Sequence, residues 1–297
     1  MIKYISLGLV LSLSAVSSAT AQDQKEPTIK PASIVLEATE VGRWDAPEGR
    51  QGAAALNDSF YAIVNTRIAR YNKKTGEKEA EWTGPRDGYI RHLNSCFVEG
   101  EDLLCANSNH PEVPMASSVE IFDANTLEHK DSKSLGIMEE GSLVWFDHLE
   151  AGWIVGFAHY NDETGVPFKT NDYAGVYHYD AQWRRTGGWM LPKHLVELMA
   201  PQAASGGALG PDGLLYMMGH DRPEMYVMAK PVMGPKLIHV ATIEIDAEGQ
   251  AFAFDKSEAR TVYAISRRNG QVRAFELPEI PQDALEDGVS ERFVTPE

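Results

Sequence analysis

The sequence predicts an all-β fold, a β-propeller of five blades closed into a ring by an N-terminal strand. Two observations carry this. One unit recurs five times: a Gly- or polar-rich start runs into a short apolar strand, a turn, and a second strand that stops at polar or basic residues. The starts are Gln51-Gly52-Ala53, His92-Leu93-Asn94, Gly141-Ser142-Leu143, Ser205-Gly206-Gly207 and Gly249-Gln250-Ala251, and their spacing of roughly 40 to 65 residues is that of propeller blades. The fifth unit has three clear strands, whereas the stretch 33–44 reads as a strand ahead of the first unit. Supplying that stretch as the missing fourth strand removes an open sheet edge. The long third unit leaves room for irregular structure or for a sixth blade, and an open β-sandwich is the rival architecture.

The elements follow in order. A blade is a four-stranded antiparallel meander that hides its faces only against neighbouring blades, so the units stack around an axis. First strands end at turn residues: Asn57-Asp58, Gly100-Glu101, the stretch 148–152, Pro211-Asp212-Gly213 and Asp255-Lys256. Second strands are apolar, at 60–64, 103–106, 153–158, 214–218 and 262–265. Third strands alternate with period 2 in Ile68-Ala69-Arg70-Tyr71, Val119-Glu120-Ile121-Phe122 and Val176-Tyr177-His178-Tyr179. Trp82, Trp145, Trp153, Trp183 and Trp189 lie within these patterns and are expected to pack between blades.

Residues 1–21 combine Lys3, an apolar stretch from Ile5 to Val16 and the small-residue pattern Ala19-Thr20-Ala21, which together read as a signal peptide cleaved before Gln22. The expected organisation is a signal peptide (1–21), an N-terminal extension (22–32), the propeller (33–278) and an acidic, Pro-containing tail (279–297) that packs loosely or frays. No apolar stretch reaches the roughly 20 residues of a membrane span. A periplasmic or secreted protein without a membrane span is therefore expected.

The chain carries 27 Lys and Arg against 43 Asp and Glu, a net charge of −16 that becomes −17 once Lys3 leaves with the signal peptide. No basic run appears, which argues against nucleic acid as a partner. Cys96 and Cys105 lie equidistant from the turn of one predicted hairpin. A cross-strand disulfide and a pair of small buried hydrophobes are the two readings.

Topology then points to a site. In an up-and-down blade, the start of the first strand and the end of the second lie at the same end of the sheet. Five such pairs ring one face: Gln51 with Asn65 and Arg67; His92 and Asn94 with Asn107, Asn109 and His110; Ser142 with His159 and Asn161; Ser205 with His220 and Asp221; Gln250 with Arg267 and Arg268. Four of the nine histidines fall in this ring, whose residues should converge on a central funnel. The opposite strand ends carry ordinary turn residues.

Imidazole both binds metals and moves protons near neutral pH. His92, His159 and His220 are candidate ligands for Zn²⁺ with an open position for water or substrate, although no local His spacing marks them. Without a metal, one of them acts as a general base, Arg67, Arg91 or Arg268 neutralises an anionic substrate or enolate, and Asn94 or Asn161 orients it. Gln51, Asn109, His110, Asp221 and Gln250 complete the substrate-binding set, and Tyr160 is a candidate proton donor or sugar-stacking ring. The plainer alternative has these histidines bonding neighbouring loops to close the channel. Two long polar connections, 107–115 and 161–172, are further candidates. The second, with Asp162 and Glu163, offers oxygens to Ca²⁺ but lacks regular Asp spacing. No organic cofactor is expected.

The strings His92-Leu93-Asn94-Ser95, Ser108-Asn109-His110-Pro111-Glu112-Val113-Pro114-Met115, Phe157-Ala158-His159-Tyr160-Asn161, Gly210-Pro211-Asp212-Gly213-Leu214-Leu215-Tyr216 and Gly219-His220-Asp221 resemble a group of exported bacterial β-propellers labelled cycloisomerase-like, over nearly all of the chain past residue 21. The resemblance implies a propeller with a polar central site. In architecture the chain is also similar to gluconolactonase-like propellers, which hold a divalent ion through acidic and amide residues where this ring is His-rich. Sugar-active propeller lyases and hydrolases that use His and Tyr near the axis are the closer chemical analogue. The expected function is an exported enzyme of lyase, isomerase or hydrolase type, acting on a small polar or anionic carbohydrate or organic acid. The alternative is a noncatalytic propeller that binds a protein or glycan.

Overall fold

The structure, a computed structural model, describes residues 34–258 and 260–295. The expected signal peptide and the 22–32 extension lie outside the described residues. Period-2 alternation and Gly, Asn and Asp turns produce five antiparallel sheets of meander topology. The N-terminal segment forms β1 (Val35–Glu37) and β2 (Thr39–Asp45). Blade 1 is β3 (Gly52–Leu56), β4 (Ser59–Val64), β5 (Arg67–Asn72) and β6 (Lys78–Thr83); blade 2 is β7 (His92–Glu99), β8 (Asp102–Ser108), β9 (Ala116–Asp123) and β10 (His129–Ile137). Blade 3 is β11 (Ser142–Leu149), β12 (Gly152–Ala158), β13 (Gly175–Asp180) and β14 (Arg185–Met190), followed by the single α-helix among the described residues, α1 (Lys193–Met199). Blade 4 is β15 (Gly206–Leu209), β16 (Leu215–Met218), β17 (Glu224–Pro231) and β18 (Ile238–Glu244).

Blade 5 contains β19 (Ala253–Phe254), β20 (Thr261–Ser266) and β21 (Gln271–Glu276), and its outer strand is β2. The ring is thus closed by the N-terminal strand, as the strand count required. The innermost strand of this blade is only two residues long, shorter than the Gly249 start suggested. The closure is reinforced twice. Just before β2, β1 runs parallel to β18, so one segment spans the blade 4 to blade 5 junction. Trp44 on β2 stacks on Tyr263 at 5.6 Å, lies 4.9 Å from Phe60 of blade 1, and donates its indole N–H to the Lys73 carbonyl at 2.9 Å.

The core is a succession of apolar layers between blades. Ala54, Ile63 and Leu93 with Phe146 and Val155 join blades 1 to 3; Trp145, Val176, Leu215 and Met217 join blades 3 and 4; Tyr216, Met218, Phe252 and Phe275 join blades 4 and 5; Phe60, Ala62, Tyr263 and Ile265 close the circle. Trp145 is fully buried. Its indole approaches two glycines so closely that a Cβ on Gly156 or Gly207 would stand 2.1 or 2.4 Å from ring atoms. Cys96 and Cys105 face one another in the β7–β8 register and are joined by a disulfide, with their Cα atoms 4.1 Å apart.

The tail differs from expectation. It docks rather than frays: β22 (Ser290–Glu291) pairs with β17, Phe293 is buried against Trp189, and the Phe293 N–H donates to the Gly213 carbonyl at 2.8 Å. Burial of Ile280 and Phe293 outweighs the acidic composition of the segment. No helix among the described residues is long and apolar enough to cross a membrane.

Candidate functional site

The ends of the innermost strands converge as the meander topology dictates. A cavity of about 170 Å³ opens at that end of the axis, lined by Gln51, His92, Asn94, His110, Val144, Tyr160, Asp162, Thr164, Gln202, Ser205, His220 and Gln250. Every blade contributes. Backbone bonds hold the ring in register: the Leu93 N–H donates to the Asn65 carbonyl at 2.8 Å, and the Ala251 N–H to the Gln51 carbonyl at 3.2 Å. Asn107, buried beneath the rim, accepts from the N–H groups of Arg91 and His92 at 3.1 Å each and so fixes the start of β7.

Three aromatic rings form one wall. His92 and His110 lie 4.8 Å apart between centroids, and Tyr160 meets His110 edge-on at 5.2 Å. Burial and the neighbouring His110 push His92 down to about 4, so its imidazole is neutral at physiological pH. Burial also lowers His110, with Asp162 opposing and His220 assisting. Burial and Asp162 raise the Tyr160 hydroxyl, which stays protonated. Asp162 is held below the usual carboxylate range: burial opposes ionisation, but Thr164 donates both its hydroxyl at 2.5 Å and its N–H at 2.9 Å, and His110 faces it. The wall therefore pairs neutral imidazoles and a phenol with one ionised carboxylate.

On the other side His220 is oriented by two partners. Its Nδ1 lies 2.9 Å from Asp221 Oδ1, while Arg267 donates to its Nε2 at 3.4 Å and to its carbonyl at 2.7 Å. Arg267 also pairs with Asp221 at 2.7 Å, and a second, open depression beside the cavity is lined by Arg50, Asp221, Glu248, Arg267 and Arg268. Three side-chain atoms of the cavity residues have no hydrogen-bond partner among the described residues: Asn94 Nδ2, on a residue only 3% exposed, His110 Nδ1 and His220 Nδ1.

Eight of the expected residues thus line one cavity: Gln51, His92, Asn94, His110, Tyr160, Ser205, His220 and Gln250. Asp221 and Arg268 lie in the adjoining depression, Arg268 against Glu248 at 3.5 Å. The remainder stand elsewhere. His159 is buried and does not line the cavity; its ring lies edge-on to Tyr173 at 6.3 Å. Arg67 faces Glu81 at 3.7 Å and Arg91 faces Glu112 at 3.4 Å, both outside the cavity. Asn109 donates to the Pro114 carbonyl and accepts from the Ala116 N–H, and Asn161 bonds Asn171, so both serve their own loops. Among the described residues no three His, Cys, Asp or Glu side chains gather in a metal-holding group, and His159 stands outside the cavity that His92 and His220 line.

Sequence reasoning missed Val144, Asp162, Thr164 and Gln202 as lining residues, and it missed the opposite end of the axis altogether. There the strand ends form a cavity of about 290 Å³ in place of plain turns. The same chain segments serve both ends: Val144 and Gln250 line one cavity, and Phe146 and Phe252, two residues further along, line the other.

No protein-family model matches the chain, and no curated protein matches it. Solved structures do. A chain of a mitotic checkpoint complex is similar over 92% of this chain and 99% of its own, at 10% identity and a TM-score of 0.41. The WD40 repeats of RRP9 match over 76% and 79% at 10% identity and a TM-score of 0.44. The β-propeller domain of Cps50 (Swd1) from Myceliophteria thermophila matches over 77% and 83% at 8% identity and a TM-score of 0.39.

Proposed function

We propose that the chain is an exported enzyme that acts on a small polar or anionic carbohydrate or organic acid by acid–base chemistry at the axial cavity. The observation that carries the reading is the meeting of His92, His110, Tyr160 and His220, drawn from blades 2, 3 and 4, over buried amides with an unpartnered donor. A buried donor without a partner costs about 1–3 kcal/mol, and a hydroxyl- or carboxylate-bearing ligand offsets that cost at Asn94 Nδ2. His110, neutral and open at Nδ1, is the candidate general base; Tyr160, held protonated, is the candidate acid. His220, fixed by Asp221 and Arg267, orients the substrate, and Arg267 with Arg268 and Arg50 offers positive charge to an anionic group at the rim. Proton abstraction beside a carboxylate serves lyase and isomerase reactions alike, and hydrolysis uses the same pair with a water.

The test begins with glucuronate, galacturonate and tartrate as probes, read by thermal shift and then by NMR of the sugar acid or hydroxy acid for conversion. His110→Ala and Tyr160→Phe should retain binding within about threefold but lower turnover at least about 100-fold, the usual scale for a lost general acid or base. Turnover unchanged in both variants would remove this mechanism.

A further inference from the structure

The cavity at the opposite end of the axis is built for different chemistry. Its walls carry four phenyl rings, those of Phe97, Phe146, Phe252 and Phe254, with Asp147 and Lys256 as the charged groups that have no salt bridge among the described residues. Asp255 and Glu258 are both engaged by Lys73, and Arg260 by Asp212 and the Pro278 carbonyl. Asp147 accepts from the N–H groups of Leu209 at 2.9 Å and His148 at 2.8 Å. It has no salt bridge among the described residues. Asp147 is only partly buried, on the cavity wall, so its carboxylate is open to a counter-ion; burial raises its pKa, with the Leu209 N–H and Lys256 opposing. Lys256 shows what the aromatic wall prefers: its ammonium lies 5.2 Å from the centroid of the Phe97 ring, a cation–π geometry.

We infer that this cavity is a second binding site, independent of the histidine cavity, for an organic ammonium with an apolar body, whose charge pairs with Asp147 and whose body packs on the Phe97, Phe146 and Phe254 rings. The resident Lys256 ammonium occupies the same aromatic surface and competes with such a ligand. That competition separates the inference from its opposite. If the site instead took a carboxylate, Lys256 would be the anchor.

Isothermal titration of the full chain with phenethylamine, and with 3-phenylpropionate as the anionic counterpart, tests this. Wild type should bind phenethylamine saturably at one site and show no saturable binding of 3-phenylpropionate. Lys256→Ala should tighten phenethylamine by about threefold or more, and Asp147→Asn should weaken it at least about tenfold, the scale of a lost charged hydrogen bond. His92→Ala, at the other end of the axis, should leave it unchanged. Because Asp147 also accepts two backbone N–H groups, the fold of Asp147→Asn is checked by circular dichroism, and the Lys256→Ala comparison stands without it. Failure of phenethylamine to saturate both wild type and Lys256→Ala overturns the inference. So does binding lost in His92→Ala, or 3-phenylpropionate bound by wild type and released by Lys256→Ala.

Discussion

Trp145 and Gly207 provide a direct test of how the blades are held at the axis. The indole is fully buried between blades 3 and 4, and a Cβ at Gly207 would lie 2.4 Å from its Cε2. Carbon atoms settle at about 3.5–4.0 Å, so Gly207→Ala requires a displacement of about 1 Å. The ring has no room to retreat, because Gly156 of β12 already meets the same indole, with its own virtual Cβ at 2.1 Å. Gly207→Ala should therefore destabilise by about 1–3 kcal/mol, the range for overpacking. Trp145→Leu removes the clashing edge and carries its own cost of about 2–4 kcal/mol through lost burial and cavity formation. In the Trp145→Leu background the alanine enters vacated space, so the two substitutions should couple by about 1–2 kcal/mol toward stability. Urea denaturation followed by far-UV circular dichroism, with the disulfide intact, measures all four corners of the cycle. An equal Gly207→Ala penalty in both backgrounds would refute the wedge and place the close approach elsewhere.

Three further outcomes are expected. His239 is buried, bonded to the Ala241 carbonyl at 3.0 Å and to His194 at 3.1 Å, and pushed down to about 4 from 6.5, mainly by burial. Protonation then favours the unfolded chain, so stability is full above pH 6.5 and falls as pH drops toward 4, by on the order of 3 kcal/mol from this group; His239→Gln should flatten the urea midpoint across that window. Replacing both Cys96 and Cys105 by Ala should cost about 2–4 kcal/mol, read as a lower urea midpoint that matches the reduced wild type. Removal of residues 34–45 strips the outer strand from blade 5 and the Trp44 contacts from blade 1; loss of cooperative thermal unfolding is expected, and a cooperative, near-native melt would show that the ring closes without it.

Much of the fold was legible because its signals are local. Gly, Asn and Asp at turns, and alternation along third strands such as 68–71 and 119–122, mark strand ends wherever the blades finally sit. Counting strands was enough to assign the N-terminal segment to blade 5, since a missing fourth strand and a surplus first one have a single economical solution. The site was legible in height but not in rotation. Position at a strand end fixes how far along the axis a residue lies, and so Gln51, Asn94 and Gln250 were found. It does not fix where a side chain points once the strand has ended: after Ala158, His159 turns into protein and Tyr160 lines the cavity. His110 enters the cavity through the folding-back of its loop, where Asn109 bridges the Pro114 carbonyl and the Ala116 N–H. Such a closure depends on contacts seven residues apart and leaves no periodic trace. The tail misled through its charge, because two apolar anchors, Ile280 and Phe293, outweigh many exposed acids.

The innermost strands explain why one axis can present two unlike mouths. On β11, Val144 lines the histidine cavity and Phe146 the phenylalanine cavity, beside the strand irregularity between Leu143 and Trp145; on the connection into β19 the pair is Gln250 and Phe252. Each of these segments thus places one residue in the histidine cavity and another, two positions further along the chain, in the phenylalanine cavity. On β7 the neighbours Asn94 and Ser95 divide between the two, at the strand irregularity between Leu93 and Cys96. No residue lines both cavities. A substitution at one mouth alters the other only by moving a strand, and the strands are held by buried partners such as Trp145 and the Cys96–Cys105 bond rather than by the cavity residues themselves. Sequence at each mouth is free to vary separately, which is why polar acid–base groups and an aromatic, carboxylate-bearing wall coexist on strands of as few as two to eight residues.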